Sequence, residues 1–202
     1  YQAAIAAMTG GANSFYGSQA GYATTVGYDN TAIGYSALRT NILSGRNVAI
    51  GRNALYTHDT ASGANGYNVA VGNNAGQNMT LGTRNTLIGA LSGDAVTTAN
   101  DNTALGYNTL SSNTIGNSNV AIGKDAMLVN VAADRNVAVG LGALQNMTTA
   151  TSIDTYNTAI GYAAGAAVTT GVQNTLIGGN AGVATTAGEK NTAVGHGSLL
   201  SN

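Results

Sequence analysis

The chain has no cysteine, no proline and no tryptophan, a single phenylalanine, and charged residues at only 7% of its 202 positions. Each shortage excludes something. Without cysteine there is neither a disulfide framework nor a thiolate metal site, and an extracellular fibre and a particle assembled in the cytosol both remain open. An average soluble domain carries about 25% charged residues, so the surface here is built on other terms. A formal net charge of −1 removes the electrostatic case for nucleic acid or an anionic membrane. There is no apolar run of 18 residues, the length a membrane-crossing helix needs, so no membrane insertion is expected. Leu, Ile, Val and Phe together make only 39 residues. Such a fraction goes with disorder when net charge is high, which it is not. Something other than bulk hydrophobicity must order the chain. It opens without an initiator methionine or signal peptide and stops shortly after a repeat begins, so it is read as a segment of a longer protein.

What it has in abundance is glycine, 29 residues, and a short period. Asn-x-x-x-Gly recurs with its Asn at 13, 30, 47, 68, 85, 102, 119, 136, 157, 174 and 191. The spacing is 17 residues except for two of 21. Fixed short periods mark stacked coils, each unable to bury its apolar face alone. No linker interrupts the series, so residues 1–202 are read as one all-β domain, a parallel β-solenoid or β-roll of about eleven coils. At about 4.8 Å per coil this is a rod near 50 Å long. The two insertions, in the coils beginning at Asn47 and Asn136, lie 89 residues apart. Asn85-Thr-Leu-Ile-Gly is repeated as Asn174-Thr-Leu-Ile-Gly at the same distance, which points to duplication of a five-coil block.

Within a coil, position 2 is Thr or Val (Thr31, Val48, Val69, Thr86) apart from Ser14, and position 4 is Ile, Val or Leu (Ile33, Ile50, Val71, Leu105) apart from Tyr16. Such alternation predicts a strand with positions 2 and 4 filling the interior of the roll. Position 3, nearly always Ala (Ala32, Ala49, Ala70, Ala104), is then expected to face outward as an apolar stripe that further copies of the chain cover. Position 8 is small, position 9 is Leu, Met or Gly, and Thr recurs at position 13, giving an expected second strand. Asn at position 1 (Asn30, Asn47, Asn102, Asn136) is expected to bond its equivalents above and below, and Gly at position 5 (Gly34, Gly51, Gly106, Gly140) to form a tight corner. Both roles are architectural.

The core Val/Thr-Ala-Ile/Val-Gly, as in Asn47-Val-Ala-Ile-Gly and Asn119-Val-Ala-Ile-Gly, resembles the head repeats of YadA-like trimeric autotransporter adhesins. The longer Asn30-Thr-Ala-Ile-Gly-Tyr-Ser-Ala-Leu looks even more like repeats of bacteriophage tail-fibre proteins. The likeness runs from residue 13 to 199 and departs from the adhesin pattern in coil length and in the insertions. It implies a homotrimeric fibre, attachment to a surface, and a place on the virion tail or, alternatively, the bacterial cell surface. The partners implied are copies of the chain itself and a host surface glycan or outer-membrane protein.

Catalytic chemistry is sparse. Eight carboxylates and two His are scattered, with no phosphate-binding loop, no His-x-x-x-His pair, and no residues that call for a cofactor. Glycoside hydrolysis needs two carboxyl groups about 5–10 Å apart across a cleft, and Asp125 and Asp134, at positions 7 and 16 of one coil, are near or distant depending on the shape of that coil. His58-Asp59 in the first insertion lacks a third partner and reads as solvated loop. Asn78-Met-Thr and Asn146-Met-Thr match a glycosylation sequon by composition. Recognition is better sought at Tyr35, Tyr107 and Tyr162, which follow the corner Gly, and in the loops Tyr56 to Tyr67 and Gln145 to Tyr156, where Tyr56, His58, Tyr67 and Tyr156 are the candidate contacts. The expected function is a non-enzymatic fibre segment for host attachment. An adhesin head, an ice-binding solenoid and a polysaccharide-depolymerising spike are the alternatives.

Overall fold

The computed structural model describes residues 8–60 and 63–200. Every Asn-x-x-x-Gly unit becomes one three-residue strand, from β1 (Ser14–Tyr16) to β13 (Thr192–Val194). Eleven of them stack in chain order into one parallel sheet. The register is strictly coil on coil: Thr31 opposes Val48, Ala32 opposes Ala49, and Ile33 opposes Ile50. The chain is thus an all-β parallel solenoid whose coils start at the eleven asparagines.

The corners explain why strands stay so short. In the coil from Asn102, φ is positive at Gly106 (141°), Asn108 (58°), Leu110 (52°) and Ser118 (57°). These are positions 5, 7, 9 and 17, and the other coils turn in the same way at equivalent places. Only glycine tolerates the first. A Cβ on Gly106 would sit 2.8 Å from the Gly123 carbonyl of the next coil. The other three hold left-handed conformations that L-residues adopt at roughly 1–2 kcal/mol each, repaid by stacking that repeats along the rod.

The strand is turned the opposite way from the alternation argument. Position 3 points inward: Ala32, Ala49, Ala70, Ala104, Ala121, Ala138 and Ala159 are fully buried. Positions 2 and 4 point outward, half-buried at Val48 and Ile50 and exposed at Ile33, Leu105 and Ile160. The cause is space. The lumen of a 17-residue coil already receives position 9 from the opposite wall, as at Leu38, Leu55 and Leu110. The facing strand therefore has room for only a methyl group.

Among the described residues the expected second strand does not recur as a regular element of each coil. Around position 13, Thr80 N, Leu81 N and Gly82 N converge on the single carbonyl of Thr97 at 2.9–3.1 Å. That is a hydrogen-bonded bend stacked on its neighbours. Among the described residues this flank straightens into paired strands beside the second insertion, where β8 (Ala133–Asp134) pairs in parallel with β10 (Ile153–Asp154), and a single parallel bridge, Gly45 with Asn65, lies at the equivalent place beside the first.

The core is a single file of side chains from positions 3, 8, 9 and 12, and its volume is traded between them. Where position 3 is large, at Phe15, Leu87 and Leu176, position 9 of the same coil is Gly21, Gly93 or Gly182. A Cβ on those glycines would come within 2.5–2.8 Å of the large residue. Position 12 varies as well: Met79, Val96 and Val168 accompany Gly at position 9, as do Thr24 and Thr185, whereas Asn41, His58, Asn113 and Asn130 accompany Leu or Met, and Met147 accompanies Leu144.

Candidate functional site

The asparagine column is the most regular polar feature of the rod. Asn102 donates its backbone N–H to Asn85 Oδ1 at 3.0 Å, and its Nδ2 donates to Gly116 O at 2.9 Å. Its own Oδ1 accepts the backbone N–H of Asn119 at 2.9 Å. Asn30, Asn47 and Asn136 repeat this scheme upward, accepting from Asn47 N, Asn68 N and Asn157 N. Side-chain amides also bond one another in many steps, for instance Asn47 Nδ2 to Asn30 Oδ1 at 3.2 Å. Each such amide ties its own bend to the strand entry of the next coil, except in the two insertion coils, where Asn47 and Asn136 donate instead to Gly45 O and Asp134 O of the coil before. The corner glycines Gly34, Gly51, Gly106 and Gly140, with φ of 130–141°, let the next backbone come close enough for this.

A second, shorter ladder escaped sequence reading. At position 16, Thr83 N, Asn100 N and Asn117 N donate in turn to Asn100 Oδ1, Asn117 Oδ1 and Asp134 Oδ1 at 2.5–2.8 Å. Asp134 Oδ2 then accepts from Ser152 Oγ, which anchors the second insertion. The signal was present as Asx residues at one coil position, but only over a few coils. Asp134 is thus buried and engaged, while Asp125 accepts from Asn108 Nδ2 at 2.9 Å and pairs with Lys124. Both carboxylates considered for hydrolysis have hydrogen-bond or ion-pair partners within the chain. Partial burial raises the Asp94 carboxyl from its ordinary value, and its Oδ1 has no hydrogen-bond partner among the described residues.

The candidate contact residues divide into three groups. Tyr35, Tyr107 and Tyr162 are exposed, and no cation lies over their rings among the described residues. Tyr56, Tyr67 and Tyr156 are already used by the chain. Arg39 lies over Tyr22 and Tyr56 at 5.2 and 5.5 Å, and Arg46 lies over Tyr28 and Tyr67 at 5.5 Å each. Arg135 covers Tyr156 at 5.8 Å, donates to its hydroxyl and pairs with Asp154. Tyr67 and Tyr156, like Arg46 and Arg135, are 89 residues apart. These clasps hold the end of each insertion to the coil before it.

His58 is the exception that corrects an expectation. It is fully buried at position 12, with Nε2 3.2 Å from Ser44 Oγ and 3.3 Å from Asn68 Nδ2. The polar loop composition suggested a solvated residue, but position 12 faces the core in every described coil, so His58 is no surface contact. Asp59 is bound too, its Oδ1 accepting Leu43 N at 2.8 Å. Ala61 and Ser62 of the first loop lie outside the described residues.

No protein-family model matches the chain, and neither a curated protein nor a solved structure is significantly similar to it. The geometry has to speak for itself. Its conspicuous surface is the outward face of the sheet. Two residues from each of eleven coils, at positions 2 and 4, form two columns in which no charged side chain occurs. The columns run from Ser14 and Tyr16 to Thr192 and Val194, dominated by Ile, Val, Leu and Thr. The threonines of position 13 make a different surface. Thr80, Thr97 and Thr114 donate their hydroxyls to the position-13 carbonyl of the next coil at 3.0–3.2 Å, so those donors are engaged within the rod. No group of three or more His, Cys, Asp or Glu that could hold a metal occurs among the described residues.

Proposed function

We propose that this chain is a non-enzymatic shaft segment of a trimeric attachment fibre, of the kind found in phage tails. The carrying observation is the uncharged outer face of the sheet. It is about 50 Å long and roughly 10 Å wide, about 500 Å² per copy. Apolar patches of this size mark interaction sites, and three such stripes together approach the standard size of a stable interface. A second and third copy fit it best, because they carry the same repeat and the same straight columns. The assembly face is therefore positions 2 and 4, in place of the position-3 alanines expected from the alternation. The rod would place its receptor contacts, a host glycan or an outer-membrane protein, on residues left outside that interface, with Tyr35, Tyr107 and Tyr162 the best placed.

The test is mass by light scattering on the purified segment. The wild-type chain is expected at three times its monomer mass. Leu105→Arg would bury a charge without a partner in the interface, and is expected to yield folded monomers, whereas Asn108→Arg assembles normally. Ala104→Arg is expected to prevent folding altogether, since Ala104 faces the lumen. A wild-type monomer would overturn the assembly reading. Thermal hysteresis in that monomer would assign the regular Thr/Val and Ile/Val face to ice instead.

A further inference from the structure

Arg39 is the only one of the seven lysine and arginine side chains that is not exposed. Arg46, Arg84, Lys124 and Arg135 each pair with an aspartate, and Arg52 and Lys190 stand in solvent. Arg39 is half-buried, with no carboxylate within ion-pair distance among the described residues. Drawing a cation out of water without a counter-charge is costly, so its surroundings have to hold it there. Its guanidinium lies between the rings of Tyr22 and Tyr56, which share position 10 with it in the coils on either side, at 5.2 and 5.5 Å. Nε donates to Gln19 Oε1 at 3.1 Å, and Nη1 donates to the Tyr56 hydroxyl at 2.9 Å. Two of the five guanidinium donors are thus engaged. Nη2 has no partner among the described residues and is not enclosed. The Tyr22 hydroxyl and the amide of Gln77, the next position-10 residue, are likewise open to solvent.

The duplicated block shows that this cluster is not needed to fold the corner. At the positions 89 residues on from Tyr22, Arg39, Tyr56 and Gln77 stand Ser111, Leu128, Gln145 and Ala166. The backbone is the same in both blocks. Ala23 N donates to Arg39 O at 3.0 Å and Thr40 N to Tyr56 O at 3.1 Å, just as Ser112 N donates to Leu128 O at 3.1 Å and Val129 N to Gln145 O at 3.0 Å. The clasp of Arg46 with Tyr67, by contrast, is kept as Arg135 with Tyr156.

We propose that Arg39, held between Tyr22 and Tyr56, anchors a binding site for a carboxylated sugar, with the carboxylate on its open donors and sugar hydroxyls on Tyr22 and Gln77. A planar fork of N–H donors matches a carboxylate, and the stacked rings fix the fork before the ligand arrives. The groups beside it are neutral hydroxyls and amides, which suit sugar hydroxyls rather than further charge. Coils advance by about 4.8 Å, close to the length of one pyranose unit, so a glycan lying along the rod presents one unit per coil. The site rests on the attachment reading for its biological role, since it gives the host-surface ligand a chemical class. Its residues lie at positions 7 and 10, outside the columns at positions 2 and 4 that carry assembly.

Ligand titrations followed by NMR test the site on the purified chain. The probes are trigalacturonate, its methyl ester, which keeps the hydroxyls and loses the charge, and acetate, which keeps the charge alone. Trigalacturonate is expected to shift the Arg39 Nε–H and the amides of Ala23 and Thr40, and to leave those of Ser112 and Val129 in place. It should bind at least about tenfold more tightly than either control. Arg39→Leu, which copies Leu128, is expected to fold with an otherwise unchanged spectrum and to lose the response. Arg39→Lys, with the charge but no fork, should bind about tenfold more weakly. Acetate binding as tightly as the trisaccharide would overturn the sugar assignment and leave a general anion contact. No shift at Arg39 with trigalacturonate at about 10 mM, or binding that survives in Arg39→Leu, would overturn the site altogether. Leu105→Arg leaves these residues untouched, so the same titration on that variant tests the site separately from trimer formation.

Discussion

At the scale of the residue, the asparagine column shows how a period in sequence turns into free energy. The recurrence of Asn every coil announced a ladder, but not its partners. Each side-chain oxygen accepts the backbone N–H of the next asparagine, and outside the two insertion coils the amide donates to a carbonyl fourteen residues later, as at Asn102. Backbone acceptors carry no residue signature, so they were illegible beforehand. They also make the column costly to interrupt. Asn102→Ala leaves the Asn119 N–H buried without its partner and removes one of the two donors to the Gly116 carbonyl, which keeps Asn113 Nδ2, and is expected to lower unfolding stability by roughly 1–3 kcal/mol. Asn108→Ala loses a partly exposed bond to Asp125 and a residue suited to φ of 58°, and should cost about 1 kcal/mol. Denaturant titration of both variants checks the ranking, and equal midpoints would contradict it.

At the scale of the element, the strand's existence, length and register were legible, and its orientation was not. Both faces of Thr-Ala-Ile are apolar, so hydrophobic alternation cannot say which face is inside. Volume decides, and the relevant volume lies six residues away at position 9, where Leu or Gly was visible without its meaning. The exchange between positions 3 and 9 can be tested in one coil. Leu87→Ala alone empties a fully buried site and is expected to cost about 2–5 kcal/mol. Gly93→Leu alone drives a side chain into Leu87, whose Cδ2 lies 2.8 Å from the added Cβ, and should cost at least as much. The double variant recreates the arrangement of Ala104 with Leu110, whose backbone at φ of 52° matches the 55° of Gly93. It should recover to within about 1 kcal/mol of wild type, with a strongly favourable coupling energy. Additive losses in thermal unfolding would show that the coils do not share one lumen geometry.

At the scale of the whole molecule, each coil contacts only its neighbours, so the rod should tolerate removal of any stretch that joins equivalent positions. The 89-residue duplication supplies such a stretch. Deleting residues 47–135 joins Arg46 to Asn136 and removes five coils. The new neighbours are the coil of Ala32, Leu38 and Asn41 and the coil of Ala138, Leu144 and Met147. In the intact rod the first of these is followed by Ala49, Leu55 and His58, so the junction keeps Ala on Ala and Leu on Leu and replaces His58 by Met147. The asparagine column stays continuous from Asn30 to Asn136, and the clasp of Arg46 with Tyr67 is re-formed by Arg46 with Tyr156. The shortened chain is therefore expected to fold cooperatively, to keep its oligomeric mass per chain, and to be about 24 Å shorter by small-angle scattering. Placed in the parent fibre, it should still adsorb to the host if the segment is a spacer. If the insertions carry the receptor contacts, their number is halved, and multivalent adsorption should fall by far more than the lost reach explains. Complete loss of adsorption by a well-folded shortened fibre would place the receptor site inside the repeats.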